Sequence, residues 1–229
     1  MQSIDQEVVQ MDNASKYTTH HVLGKVAGRL ICSLTLTDPR VFEQEYLKEI
    51  PRPYILVMNH YSSWDPVLIW GYYPDSIRFL IKEELHAVPG LASISQLVGN
   101  IPVKRDHFDF KAMKMSLSCL KEGFNLGIFA EGTRSSDGSI KAFNPSVIAL
   151  ANKARVPLVP VYLHGTSEVC PIGSLMPKAG PTSIHILEPF TGTIEGNLDR
   201  DSFPSVAQSL QAIISDKRAE VLSRPTGSG

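Results

Sequence analysis

Tyr54-Ile55-Leu56-Val57-Met58-Asn59-His60-Tyr61-Ser62-Ser63-Trp64-Asp65-Pro66 is the stretch on which the rest of the chain is organised. It opens as a β-branched and aromatic run and is closed by Asn, Ser and Pro, which reads as a buried strand, a turn and a helix start. His60 therefore falls at the mouth of a strand. Proline suits the first position of a helix and not its interior, so Asp65 stands where an N-cap is expected, a role that Ser62 or Ser63 can share. A histidine and an aspartate are thus brought together across one tight turn.

That placement suits proton transfer. A neutral imidazole can take a proton from a hydroxyl on one nitrogen while a carboxylate holds the N–H of the other. These are two parts of a serine-hydrolase triad without the serine, so the nucleophile would be the substrate's own hydroxyl. His and Asp-Pro are also frequent in plain turns, and this stretch alone leaves both readings open.

Working outward, the helix after Pro66 (VLIWGYY) is short and ended by Pro74-Asp75. Before the strand, residues 21–36 (HVLGKVAGRLICSLTL) space Val22, Leu23, Val26, Leu30, Ile31 and Leu34 at helical intervals with Lys25 and Arg29 opposite. Such a helix either covers the core or lies on a bilayer surface. Asp38-Pro39 then reads as the start of a second short helix carrying Phe42, Tyr46 and Leu47. Further strands are expected at 77–82, 98–103, 125–130, 156–163 and 183–187, alternating with helices at 108–123, 145–154 and 203–222.

The expected fold is α/β, a single layered domain with a mixed central sheet flanked by helices. Its parts are a flexible lead over 1–15, an N-terminal helical segment over 16–50, the main domain over 51–222 and a disordered tail over 223–229. Functional loops gather at the carboxyl ends of the strands in such a fold.

Composition narrows the function. With 43% hydrophobic residues, 20% charged residues and a net charge of -1, the chain can bury one sizeable core and is not held to nucleic acid by overall electrostatics. Cys32, Cys119 and Cys170 are odd in number and widely spaced, which argues against a disulfide framework or a structural zinc site. No run reaches the roughly 18 apolar residues of a membrane span, and the first residues lack a signal-peptide layout. The expectation is a cytoplasmic protein, free or peripheral to the inner face of the membrane.

Two more strand ends carry polar groups that a core does not need: Lys104 and Arg105, then Glu131-Gly132-Thr133-Arg134. Arginine presents a fork of donors that matches a phosphate, and loop glycines let backbone N–H groups approach the same anion. Each cluster alone is more often a solvated face or a turn with a weak ion pair. Their joint placement beside His60 points to an anionic ligand.

Four blocks in order carry a resemblance: Asn59-His60-x-x-x-x-Asp65, Gly99-Asn100-Ile101-Pro102-Val103-Lys104-Arg105, Phe129-Ala130-Glu131-Gly132-Thr133-Arg134-Ser135 and Val156-Pro157-Leu158-Val159-Pro160-Val161. Over residues 50–190 the chain resembles the glycerolipid acyltransferase family, whose best-known members are lysophosphatidic acid acyltransferases. The resemblance implies that His60 is the general base and Asp65 its orienting partner. The attacked group would be a fatty-acyl thioester on coenzyme A or acyl carrier protein. The resemblance also implies that Asn59, Lys104, Arg105, Glu131, Gly132, Thr133 and Arg134 bind substrate and that Pro160 lines the acyl side. No metal or other cofactor is implied, and the acceptor is most simply the free hydroxyl of lysophosphatidic acid.

Two departures bear on this. Ala130 stands where the family usually has Pro, and Asn144-Pro145-Ser146 stands where it often has Lys-x-Gly. The latter leaves room for another acceptor, such as an amine or hydroxyl of a soluble or secondary metabolite. A lipid-binding protein without turnover is a third reading, opposed by the intact His60, Asp65, Arg105 and Glu131. A hydrolase lacks its Gly-x-Ser-x-Gly elbow.

Overall fold

Strand β2, Ile55–Met58, has all four side chains fully buried because it has hydrogen-bonded neighbours on both edges and packed layers on both faces. The structure, a computed structural model, describes residues 22–33, 39–82, 98–103, 110–174 and 177–224. β2 runs parallel to β5 (Asn125–Phe129) on one edge and to β6 (Leu158–His164) on the other, with Ile55 opposite both Leu126 and Leu158. Beyond β5 lie β3 (Ile77–Lys82) and β4 (Ile101–Val103), and beyond β6 lie β7 (Thr182–Ile186) and β1 (Pro39–Phe42). The order is β1-β7-β6-β2-β5-β3-β4, parallel at every pairing except β6 with β7.

The expected α/β domain with a mixed sheet is what the chain adopts, with seven strands among the described residues where the sequence pointed to six. The extra strand is β1: Asp38-Pro39 reads as a helix start, yet residues 39–42 are extended and pair with β7, and only Gln44–Leu47 turns, as a 3-10 helix. A four-residue strand parallel to one some 140 residues away is a non-local pairing that local pattern cannot report.

Alternation along β2 divides the core. Ile55 and Val57 point to one face, where α3 (Phe110–Lys121), α4 (Ser146–Ala154) and α6 (Phe203–Ser223) cover the sheet with Leu120, Ile148, Leu150, Leu210 and Ile214. Leu56 and Met58 point to the other, under a helix at residues 22–33 (α1) and α2 (Asp65–Tyr72). A short helix α5, Thr166–Val169, follows β6.

Helix α1 packs through small residues. Gly24, Gly28 and Cys32 are buried, and a Cβ added at Gly28 would stand 2.4 Å from the backbone nitrogen of Gly71 in α2, so the two backbones touch. Val22, Val26 and Leu30 turn outward, each more than half exposed. Lys25 Nζ and Arg29 Nε donate to the carbonyls of Tyr73 and Gly71, the orphan acceptors at the end of α2. Among the described residues no helix is long and apolar enough to cross a membrane.

Against α6, β7 carries a buried polar group. His185 is 2% exposed, stacks on Phe42 and shares a 2.9 Å hydrogen bond with Ser183 Oγ. Burial, and then the Lys217 ammonium, hold its pKa down at about 4. The folded state therefore keeps this imidazole neutral, while the unfolded chain protonates it near pH 6.5. Stability is whole above that pH and falls as pH drops from about 6.5 towards 4. The expected thermal midpoint falls by about 5 °C across that window, and His185→Gln flattens the fall; a scan of melting temperature against pH for both proteins checks it.

Candidate active site

β2, β5 and β6 are parallel, so their carboxyl ends open on one edge of the sheet, and the polar loops meet there. His60 leaves that edge one residue after Asn59. The Asn59 side chain closes the gap like an extra rung of the ladder: Nδ2 donates to Leu163 O at 3.0 Å and Oδ1 accepts from Leu163 N at 2.8 Å. Asn59 is fully buried with both ends of its amide engaged.

Asp65 opens α2, but its carboxylate reaches back along the chain and does not cap the helix ahead of it. Oδ2 accepts from Tyr61 N at 2.9 Å and Ser62 N at 3.0 Å and lies 2.7 Å from His60 Nδ1. Ser62 Oγ accepts from Trp64 N, tightening the same turn. Asp65 is fully buried and the His60 ring keeps 19% of its surface. With Nδ1–H donated to Asp65, Nε2 is the nitrogen with a lone pair to accept a proton. The ring lies flat on Phe129, centroids 3.9 Å apart and 15° between planes, and Phe129 in turn stacks on Phe79. One face of the imidazole is thereby shielded by aromatic carbon and its rotation is blocked.

The loop after β5 is fastened to the same turn. Glu131 Oε1 accepts from His60 N at 2.8 Å and Oε2 from Lys141 N at 3.0 Å. Ser135 N donates to His60 O at 2.8 Å, and Tyr61 Oη donates to Gly138 O at 2.9 Å. Burial raises the pKa of Glu131, against the pull of the two backbone N–H groups. Gly132 has φ of +70° and open space around it, so its task is the left-handed turn that carries the chain past Phe129. Thr133 and Arg134 are exposed on that turn, and Lys141 Nζ lies 3.4 Å from Thr133 Oγ1 and 3.1 Å from Arg134 O.

The structure thus brings together His60, Asp65, Glu131, Gly132, Thr133 and Arg134. It places Pro160 inside β6, opposite Val57 and buried, and Asn59 under the turn. Lys104 and Arg105 lie outside the described residues. Phe129 and Lys141 complete the cluster without having been singled out in the sequence. Phe129 had a signal in its place at the end of a strand entering a polar loop, whereas Lys141 had none. Among the described residues no group of three or more His, Cys, Asp or Glu is placed to hold a metal ion.

A family model described as Acyltransferase matches residues 38–164, ending at the last residue of β6. The chain belongs to the acyltransferase family. It is 28% identical over 200 residues to the chloroplastic 1-acyl-sn-glycerol-3-phosphate acyltransferase BAT2 of Brassica napus, covering 85% of the chain and 57% of that protein. It is also 28% identical over 188 residues to the 1-acyl-sn-glycerol-3-phosphate acyltransferase of Pseudomonas aeruginosa, 79% of the chain and 70% of the relative. The chain therefore spans little more than half the length of the chloroplast relative. The crystal structure of the 1-acyl-sn-glycerophosphate (LPA) acyltransferase PlsC from Thermotoga maritima shares the fold, with a TM-score of 0.73 at 23% identity over 98% of this chain and 99% of that chain.

Proposed function

We propose that this acyltransferase moves a fatty-acyl group from a thioester, on coenzyme A or acyl carrier protein, to the free hydroxyl of lysophosphatidic acid. The observation that carries the reading is the 2.7 Å contact between His60 Nδ1 and the buried Asp65 Oδ2, next to a loop bearing Thr133 and Arg134 that is tied to the His60 backbone. His60 Nε2 takes the proton of the acceptor hydroxyl as its oxygen attacks the thioester carbonyl. The new C–O bond forms, the tetrahedral centre collapses with loss of the C–S bond, and the departing thiolate recovers the proton from Nε2. Asp65 keeps the tautomer and stabilises the imidazolium between the two steps.

In this reading Arg134, with Arg105 and Lys104, holds the acceptor's phosphate, and Thr133 its glycerol end. Glu131 acts as a brace, because both of its oxygens are spent on backbone N–H groups. Asn59 fixes the strand end and Pro160 the sheet beneath it. The outward stripe of Val22, Val26 and Leu30 supports contact with a membrane surface, where the lipid acceptor resides.

The test supplies acyl-coenzyme A and, separately, acyl carrier protein thioester, with lysophosphatidic acid and a panel of amine and alcohol acceptors. Thiol release and product mass are followed. Expected is a diacylated phosphate product formed faster than any other; release of free fatty acid regardless of acceptor would overturn the reading.

A further inference from the structure

Lys141 sits in a loop without hydrophobic period, between β5 and α4, and its setting is unlike that of an ordinary surface lysine. Its backbone N–H donates to Glu131 Oε2 at 3.0 Å, and the other oxygen of that carboxylate accepts from His60 N at 2.8 Å. One rigid group therefore sets the spacing between Lys141 and the turn that carries the base. Its ammonium is also placed: Nζ donates to Arg134 O at 3.1 Å and meets Thr133 Oγ1 at 3.4 Å. An ammonium has three N–H donors. Two are turned to the loop, and the third has no partner among the described residues, on a side chain that is exposed.

The ammonium thus lies against the backbone of Arg134, an exposed residue that brings a guanidinium to the same loop. A fork of donors and a point charge carried on one loop suit an anion with several oxygens. We infer that Lys141 grips the phosphate of the acceptor together with Arg134, and that it sets the preference for phosphorylated over unphosphorylated acceptors. This rests on the acyl transfer proposed above. The phosphate takes no part in bond making, so the contact is equally strong before and during reaction and acts on KM, leaving kcat alone.

The experiment compares wild type, Lys141→Met and Lys141→Arg, with lysophosphatidic acid and with the monoacylglycerol of the same chain as acceptors. Lys141→Met is expected to raise KM for lysophosphatidic acid about tenfold while kcat stays within about twofold. KM for the thioester and for monoacylglycerol is expected to stay put, and Lys141→Arg to recover most of the loss. An equal loss on both acceptors, a fall in kcat at constant KM, or no change would overturn the inference.

A second measurement needs no turnover: calorimetric binding of glycerol 3-phosphate to wild type and Lys141→Met. Binding to wild type that weakens about tenfold in the variant supports the anion site even where lysophosphatidic acid is not acylated, an outcome that sinks the proposed reaction alone. Equal affinity in the two proteins, absence of binding to both included, sinks the role of Lys141.

Discussion

His60→Ala is expected to lower kcat by about 10³-fold with any acceptor, the range that a positioned general base supplies. The side chain stacks on Phe129 and meets Asp65, so the variant leaves a small void above the Phe129 ring and removes a donor from Oδ2. Tyr61 N and Ser62 N still hold that oxygen, and the thermal midpoint should move by only a few degrees. KM for acceptor and thioester should change little, because the imidazole is engaged chiefly as charge develops. Steady-state kinetics beside a thermal melt checks this. A variant that transfers as fast as wild type would remove His60 from the chemistry.

Asp65 should respond differently to its two obvious replacements. Asp65→Asn keeps an oxygen for the amides of Tyr61 and Ser62 but gives up the charge that stabilises the imidazolium, and its amide can favour the wrong tautomer. Loss of kcat by about 10²- to 10⁴-fold in a folded protein is the expected result. Asp65→Ala strips three donors of an acceptor that has no solvent exposure, two of them the buried amides of the turn. Each orphaned donor costs about 1–3 kcal/mol, enough in sum to threaten the fold. Circular dichroism and kinetics on both variants separate the two roles. An asparagine variant with full activity would reduce Asp65 to a turn residue.

The pairing of His60 with Asp65 was legible because a five-residue gap across strand, turn and helix start leaves little freedom. The manner of pairing was not: a helix-starting aspartate reads as a forward cap, whereas here the amides of the turn behind it compete and win. Strand β1 was hidden because Asp38-Pro39 carries a helix-start signal and its partner β7 is remote in sequence. The face of α3 was also only half legible. Phe110, Met113, Leu117 and Leu120 recur at helical spacing in the sequence, yet Phe110 is 84% exposed, while Ala112, Ser116 and Cys119 are buried. Small residues allow closer approach to the sheet, and periodicity weighted by side-chain size overlooks them. Glu131 was identified as polar and near the site, yet its task as a brace depends on two backbone donors, His60 N and Lys141 N, that no side-chain pattern reveals.

The central position of β2 has a kinetic consequence. Tyr61 N and Ser62 N, held by a carboxylate without solvent access at the end of the middle strand, should trade hydrogen for deuterium as slowly as the amides deep in the ladder, exchanging only when the whole domain opens. His60 and Asp65 thus ride on the central strand of the sheet. In the proposed reaction, whatever rearrangement admits a long-chain donor falls to segments remote from β2.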